Sequence, residues 1–406
     1  MRRFSAAPLA LVLTSLCLTS SPALAGGGGP DRVGGPIAGL TPDQLAAFNR
    51  GKLVFERRFK PSEGLGPFYN ATSCASCHSE PVTGGSAELY RNFYLAVYGT
   101  DSSQGSIPPF LSQVVPAYGT GATHAAAFEF TLEGGRTIIP PTVFGQPVLS
   151  AQRNGIPIFG VGLFEQISDA DILANEDFLD SDGDGISGRQ NIDFGPSVGR
   201  FGSKAQSNNI ELFTRAPLMN QMGITSNAFQ GSGAIVSLCR MQVSVNPNDP
   251  LTDSDPVSDP EISFQDLGDL IAFTRFLAPP EKLPFSPEAT NGETQFDTIG
   301  CTKCHIPSLP SASGPVEAYT DLLIHYMGME LADHIRLGLN GTTSLEFRTA
   351  PLWGVSLHAP YLHDGRAETL REAIELHAGE GQASRDAFLA LPPSDQDDII
   401  TFLEHL

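Results

Sequence analysis

The chain has 406 residues, 41% of them hydrophobic, and a formal net charge of −21. That length exceeds one ordinary domain, so two are expected, and the apolar content suffices for real cores. So acidic a chain repels nucleic acid and anionic lipid, which excludes both as partners; it suits either plain solubility or a cationic or neutral redox partner.

Residues 1–25 read as a signal peptide. Arg2 and Arg3 form the charged end, Leu9 to Leu18 the apolar stretch, and Ala23, Leu24 and Ala25 the small-residue cleavage site. Cys17 would leave with it, and Leu16 before it is too large for a lipid-anchor signal. Without the two arginines, the remainder carries −23. No later run is long and apolar enough to span a membrane. The expectation is an exported, periplasmic protein with no membrane span.

Residues 26–36 are Gly-rich and read as a flexible leader. Thr41 is a helix N-cap with Pro42 at the first helical position. The helix runs through Leu45, Phe48, Leu53 and Phe55 and carries Gly51, and Gly64-Leu-Gly-Pro67 breaks it. Then comes Cys74-Ala-Ser-Cys77-His78, which has an echo in Cys301-Thr-Lys-Cys304-His305. In a CxxCH the two thiols add across the two vinyl groups of a haem, and the adjacent imidazole binds its iron. A zinc site would need four ligands close together, and Cys239 is the one further thiol after residue 25. A CxxC redox pair leaves the repeated histidine unexplained. Two covalent c-type haems, on Cys74/Cys77 and Cys301/Cys304 with His78 and His305 as proximal ligands, are expected.

Residues 79–263 separate the first CxxCH from an amphipathic helix over Phe264–Leu277 and are rich in Gly and Pro. Phe128-Glu-Phe-Thr-Leu132 and Thr137-Ile-Ile139 flank Glu133-Gly-Gly-Arg136 and predict a β-hairpin. Asp180, Asp182 and Asp184, followed by Gly185, resemble the first half of a calcium loop, although Asn191 stands where a full loop has Glu. The alternative is an acidic, solvated turn.

The second half repeats the first. Gly292 and Phe296 are four apart, as are Gly51 and Phe55, a CxxCH follows each pair, and an amphipathic helix over Ser394–Leu406 closes the chain. Glycine on one helix and an apolar closing helix suit a small cytochrome c domain. The fold class expected is mainly α: two cytochrome c-like haem domains, residues 26–280 and 281–406, parted at Pro279 and Pro280, the first with a long loop-rich insert containing some β-hairpin.

Later motifs carry a family resemblance. Phe347-Arg-Thr-Ala-Pro-Leu-Trp-Gly354, Ala359-Pro-Tyr-Leu-His-Asp-Gly-Arg366 and Thr369-Leu-Arg-Glu-Ala-Ile374 resemble the second domain of bacterial di-haem cytochrome c peroxidases and of MauG. Gly64-Leu-Gly-Pro-Phe-Tyr-Asn-Ala-Thr-Ser-Cys74, Asp182-Gly-Asp-Gly-Ile-Ser-Gly-Arg189, Gly199-Arg-Phe-Gly-Ser-Lys-Ala205 and Met222-Gly-Ile-Thr-Ser226 resemble one branch, the di-haem oxidoreductases also called thiol oxidoreductases. Ser203 stands where that branch has an aromatic, which leaves an aromatic relay between haems unsupported there.

The resemblance implies His377 as sixth ligand of the second haem, with Met327, Met329 and His325 as competitors, and Glu165 as acid–base at the first haem. His124, the one histidine between the two haem motifs, is the removable sixth ligand there if that position is not open. Arg348 and Arg366 suit haem propionates, since a guanidinium binds a carboxylate with two parallel bonds. His363 and Asp364 brace the pocket, and Trp353 lies either near the second haem or in ordinary core. The function implied is reduction of hydrogen peroxide at the first haem, with electrons entering through the second from a small redox protein. An electron-transfer cytochrome and a MauG-like oxidase of a partner protein are the alternatives. The thiol oxidoreductase label has no support here, because haem attachment leaves no thiol pair.

Overall fold

The computed structural model describes residues 33–106, 113–119, 131–133, 136–138, 141–192, 197–227, 256–336 and 342–406. The signal segment, most of the leader, His124 and Cys239 lie outside the described residues. Among the described residues the helices are α1 (Pro42–Glu56), α2 (Asp169–Leu173), α3 (Ile210–Met222), α4 (Phe264–Phe276), α5 (Pro287–Thr298), α6 (Leu370–Glu375), α7 (Gln382–Ala390) and α8 (Pro393–His405). None is long and apolar enough to cross a membrane.

Helix α1 begins where its cap predicts. The Thr41 hydroxyl accepts from Gln44 N, and the Gln44 side chain accepts from Thr41 N, so two otherwise unpaired amides are satisfied reciprocally. Serine hydroxyls cap α4 and α5 without the reciprocal bond: Ser263 accepts from Asp266 N, and Ser286 from Ala289 N.

Two helix crossings organise the molecule: α1 on α4 and α5 on α8. Both depend on a missing side chain. A Cβ on Gly51 would lie 1.9 Å from the Asp269 carbonyl oxygen, and one on Gly292 would lie 1.9 Å from that of Asp398. One turn later Phe55 meets Phe273 with ring centroids 5.0 Å apart and planes at 53°; Phe296 meets Phe402 at 5.3 Å and 57°. The repeat of glycine and phenylalanine in the sequence is thus a repeat of contacts in space.

The two halves do not keep separate interiors. Leu309, Val316, Leu322, Leu323 and Trp353 belong to the same buried cluster as Phe48, Phe55, Phe164 and Phe273. Pro279 and Pro280 are wedged in this junction: a Cβ on Gly160 would touch Pro279, and one on Gly354 would touch Pro280. A boundary drawn there parts the chain but not the core. A second cluster around Phe296, Tyr319, Phe388 and Phe402 fills the second half alone.

The insert holds a five-stranded antiparallel sheet in which Phe93–Thr100 pairs with Gln146–Arg153 on one side, which in turn pairs with Thr142–Val143, and with Ser103–Ser106 and Val114–Val115 on the other. Alternation decides its faces. Ala96 packs with Val115 and Val143, whereas Leu95 and Val97 pack with Ala151 and with Ile335 from the second half. The predicted hairpin is present as Thr131–Glu133 paired with Arg136–Ile138.

Candidate functional site

Each CxxCH begins with a single tight turn, Cys74–Ser76 and Cys301–Lys303. His78 Nδ1 lies 3.0 Å from the Gly85 carbonyl oxygen, and His305 Nδ1 lies 2.9 Å from that of Tyr319. A carbonyl only accepts, so each ring carries its hydrogen on Nδ1 and keeps a lone pair on Nε2. Burial holds both rings neutral, and it pushes His305 down to about 4. Each ring sits at the same angle to the phenylalanine of its helix pair: Phe55–His78 at 6.1 Å and 56°, Phe296–His305 at 6.2 Å and 55°. The four thiols are not joined in disulfides. Burial, reinforced by the neighbouring thiol, raises Cys74 and Cys301 to about 12.

A cavity of about 260 Å³ opens over the second motif, with Cys301, Cys304, His305 and His377 in its wall. His377 Nδ1 donates to the Ala373 carbonyl at 2.7 Å, so its Nε2 also carries a lone pair, and burial holds the ring neutral. Gly381 leaves it room, because a Cβ there would stand 3.2 Å from the His377 Cβ. The competitors fare differently. His325 is bound between Asp321 (2.8 Å) and Glu380 (2.7 Å). Burial alone would favour its neutral form, but the hydrogen bonds to these carboxylates and to Cys304 raise it well above its ordinary value. A protonated imidazole has no lone pair to offer. Met329 is exposed, and Met327 lies in the cavity wall.

Arg348 is buried in the same wall and donates to the carbonyls of Gly202 (2.9 Å) and Thr349 (3.2 Å), with no carboxylate in its hydrogen bonds. Burial pulls it down to about 10, with Asp321 opposing. A buried guanidinium lacking a direct anion, facing a cavity walled by a CxxCH and two neutral imidazoles, fits a haem with a propionate on that side. His358 and His363 also line the cavity and are lowered by burial, to about 4 and about 3, and His363 stacks on Phe347 at 4.1 Å.

Three expectations need correction. Arg366 is absent from the cavity wall; it binds the Asp364 carboxylate and the Glu330 carbonyl, because the turn after His363 points it outward. Glu165 is not a free carboxyl among apolar side chains. The short helix Val161–Gln166 buries Phe164 and turns Glu165 away, onto Arg275 (2.6 Å) and the Ile210 amide (2.8 Å) at the start of α3. Its neighbours in sequence are apolar, but its neighbours in space are donors. Asp184 leaves the acidic cluster to pair with Lys303 (3.0 Å), and Asp177, Asp180 and Asp182 converge instead.

Trp353 is core: it stacks on Phe164 at 5.3 Å and 8°, where the two halves meet. Ser203 lines the cavity over the second motif, and its carbonyl accepts from Arg348 N. The next residue escaped the sequence reading. Lys204 is fully buried, donates to the carbonyls of Thr343 and Glu346, and stands 4.0 Å over the Phe347 ring. Burial lowers it to about 8. A lysine between serine and alanine carries no sign that it faces inward.

Comparison with curated proteins finds no match. Among solved structures, a MauG-like protein associated with microbial copper homeostasis is 16% identical over 93% of this chain and 93% of its own, at a TM-score of 0.40. The diheme peroxidase BthA from Burkholderia thailandensis E264 is 16% identical over 91% of this chain and 87% of its own, also at 0.40. Kuenenia stuttgartiensis hydrazine synthase is 13% identical over 99% and 100%, at 0.40. The sequence family described as "Di-haem oxidoreductase, putative peroxidase" matches residues 132–406, from the hairpin of the insert to the end of the chain. This chain belongs to that di-haem oxidoreductase family.

Proposed function

We propose that this chain is an exported c-type oxidoreductase that reduces hydrogen peroxide at its first haem and takes in electrons through its second. Bound haem iron would supply one-electron redox chemistry and, where a coordination position is open, a place for a small oxidant. The protein's residues do the rest. Cys74, Cys77, Cys301 and Cys304 would hold the haems by thioethers, and His78 and His305 offer Nε2 as proximal ligands. Gly85 and Tyr319 fix the tautomer of those rings and raise their basicity. Arg348 would balance a propionate.

The reading rests on one asymmetry. The second centre has a further neutral histidine, His377, with a free Nε2 at the cavity. In residues 26–280 the histidines are His78 and His124, and His124 lies outside the described residues. A centre closed from both sides would pass electrons, and the first centre, where His78 is the one histidine among the described residues of 33–280, would admit peroxide.

The test is made on protein produced in a host that makes c-type cytochromes. Its intact mass should equal the chain from Gly26 plus two haems. The ferric spectrum should contain one high-spin and one low-spin haem, and a reduced donor should support peroxide turnover. A bare polypeptide mass would defeat covalent attachment. Two low-spin haems without turnover would make this an electron carrier, and oxidation of a partner protein without peroxidase activity would make it a MauG-like enzyme.

We also infer a calcium site in the 177–182 turn. Asp177, Asp180 and Asp182 each bring a carboxylate oxygen within 4.8 Å of the others, and Asp184 beside them is moored to the second CxxCH through Lys303. Chelation should lower the melting temperature and added calcium should restore it. A melting curve indifferent to both, with no calcium by elemental analysis, would leave a solvated turn.

A further inference from the structure

The cavity of the second centre is covered on one side by the strand Ile324–Tyr326 and the residue after it. Side chains alternate along a strand. His325 and Met327 enter the cavity wall, and Tyr326 between them faces out, 41% exposed. Glu346 stands opposite Tyr326 on the paired strand. The Arg189 guanidinium binds Glu346 at 2.6 and 2.7 Å and lies 6.0 Å over the Phe178 ring. Phe178 and Leu179 are 62% and 81% exposed. An apolar row therefore runs from Tyr326 to Leu179, interrupted by one neutral ion pair.

The rim of this row is acidic. Glu176, Asp177, Asp180, Asp182 and Asp184 all lie in the turn that carries Phe178 and Leu179. Lys303, between the two cysteines of the second CxxCH, holds the turn through Asp184. Five carboxylates against one lysine leave the turn negative even with a calcium ion in it. Exposed aromatic and aliphatic side chains at the centre and charge at the edge are the anatomy of a transient interface. The edge charges steer the encounter, and the apolar centre holds it.

We propose that Phe178, Leu179 and Tyr326, with the acidic turn around them, are the docking surface for a small basic redox protein that delivers electrons to the second haem. The inference rests on the reading that the second centre is the point of electron entry. The step is an outer-sphere transfer: the partner's centre loses one electron, the second ferric haem gains it, and no bond is made or broken. Tyr326 occupies the outer face of the strand whose inner face walls the cavity, so a partner seated there is one strand's thickness from it.

Binding and transfer are measured separately on the holoprotein, with a basic monohaem cytochrome c as probe. Oxidised probe reports binding by calorimetry without turnover; reduced probe reports the rate of haem reduction by stopped flow. Leu179→Ser with Tyr326→Ser should weaken binding and slow reduction by at least about tenfold. Both should weaken with salt in the native protein. Reduction by dithionite should stay unchanged, which shows the haems intact. Asp43→Asn with Glu404→Gln, which removes two carboxylates outside the acidic turn and leaves the apolar row intact, should bind as the native protein does. Native binding and rate in the Leu179/Tyr326 variant, or equal weakening in the charge control, would overturn the surface. Binding lost in the variant with no electron transfer to the native protein would keep the surface and reject the second centre as entry point.

Discussion

Replacing Gly292 with alanine is expected to lower stability at or above the upper end of the roughly 1–3 kcal/mol that over-packing costs. A new Cβ would meet the Asp398 carbonyl oxygen at 1.9 Å, with the carbonyl carbon at 2.5 Å. Both atoms are backbone, so no rotamer change relieves the clash, and α5 and α8 must separate. Phe296 and Phe402 would then lose their contact, and burying such a ring is worth roughly 1.5–3 kcal/mol. His305 rests against Phe296, so the second centre should loosen with the fold. Gly51→Ala should do the same to α1 and α4, through the Asp269 carbonyl. Gly268 is the control. It lies in α4 with nothing within 4 Å of a would-be Cβ, so Gly268→Ala should gain about 0.5–1 kcal/mol from helix propensity alone. Thermal melting of the three variants decides the matter: native stability in Gly292→Ala would mean that the crossing tolerates a side chain.

His377→Ala is expected to convert one low-spin haem wholly to high spin. The Ala373 carbonyl holds the hydrogen of His377 on Nδ1, so Nε2 is the free donor atom at the cavity. Two of the competing residues are held elsewhere. His325 is held as a cation between Asp321 and Glu380, and Met329 is exposed. Bis-histidine ligation keeps the potential below that of a His/Met pair. The potential of the second haem should therefore change with the spin state. A ferric spectrum identical to that of the native protein would transfer the ligand role to Met327, His358 or His363, the other candidates in the wall.

The parts of the site legible in the sequence were those in which chemistry is local. A CxxCH places two thiols and an imidazole within one turn, so Cys74, Cys77, His78, Cys301, Cys304 and His305 needed no tertiary information. Helix caps such as Thr41 are equally local, since the hydroxyl satisfies an amide three residues on. The repeat of glycine and phenylalanine was legible because a helix crossing demands a bare position one turn before an aromatic, and it left the same spacing twice.

What failed was orientation. Glu165 looked apolar by its neighbours in sequence, but its partners, Arg275 and the Ile210 amide, come from 110 and 45 residues away. Arg366 and Arg348 are alike as residues, and only the folded chain turns one outward onto Asp364 and the other into the cavity. The acidic turn exchanged Asp184 for Asp177 because Lys303, from the other half, captured Asp184. Sequence by itself determined the two CxxCH turns, the helices packed beside them and the repeated spacing of glycine and phenylalanine, because each depends on contacts within a few residues or on a spacing that repeats. Tertiary structure alone decided which charges face the cavity, that the halves share a core through Trp353 and Phe164, and which acids gather, because charges are satisfied by partners brought together from distant parts of the chain.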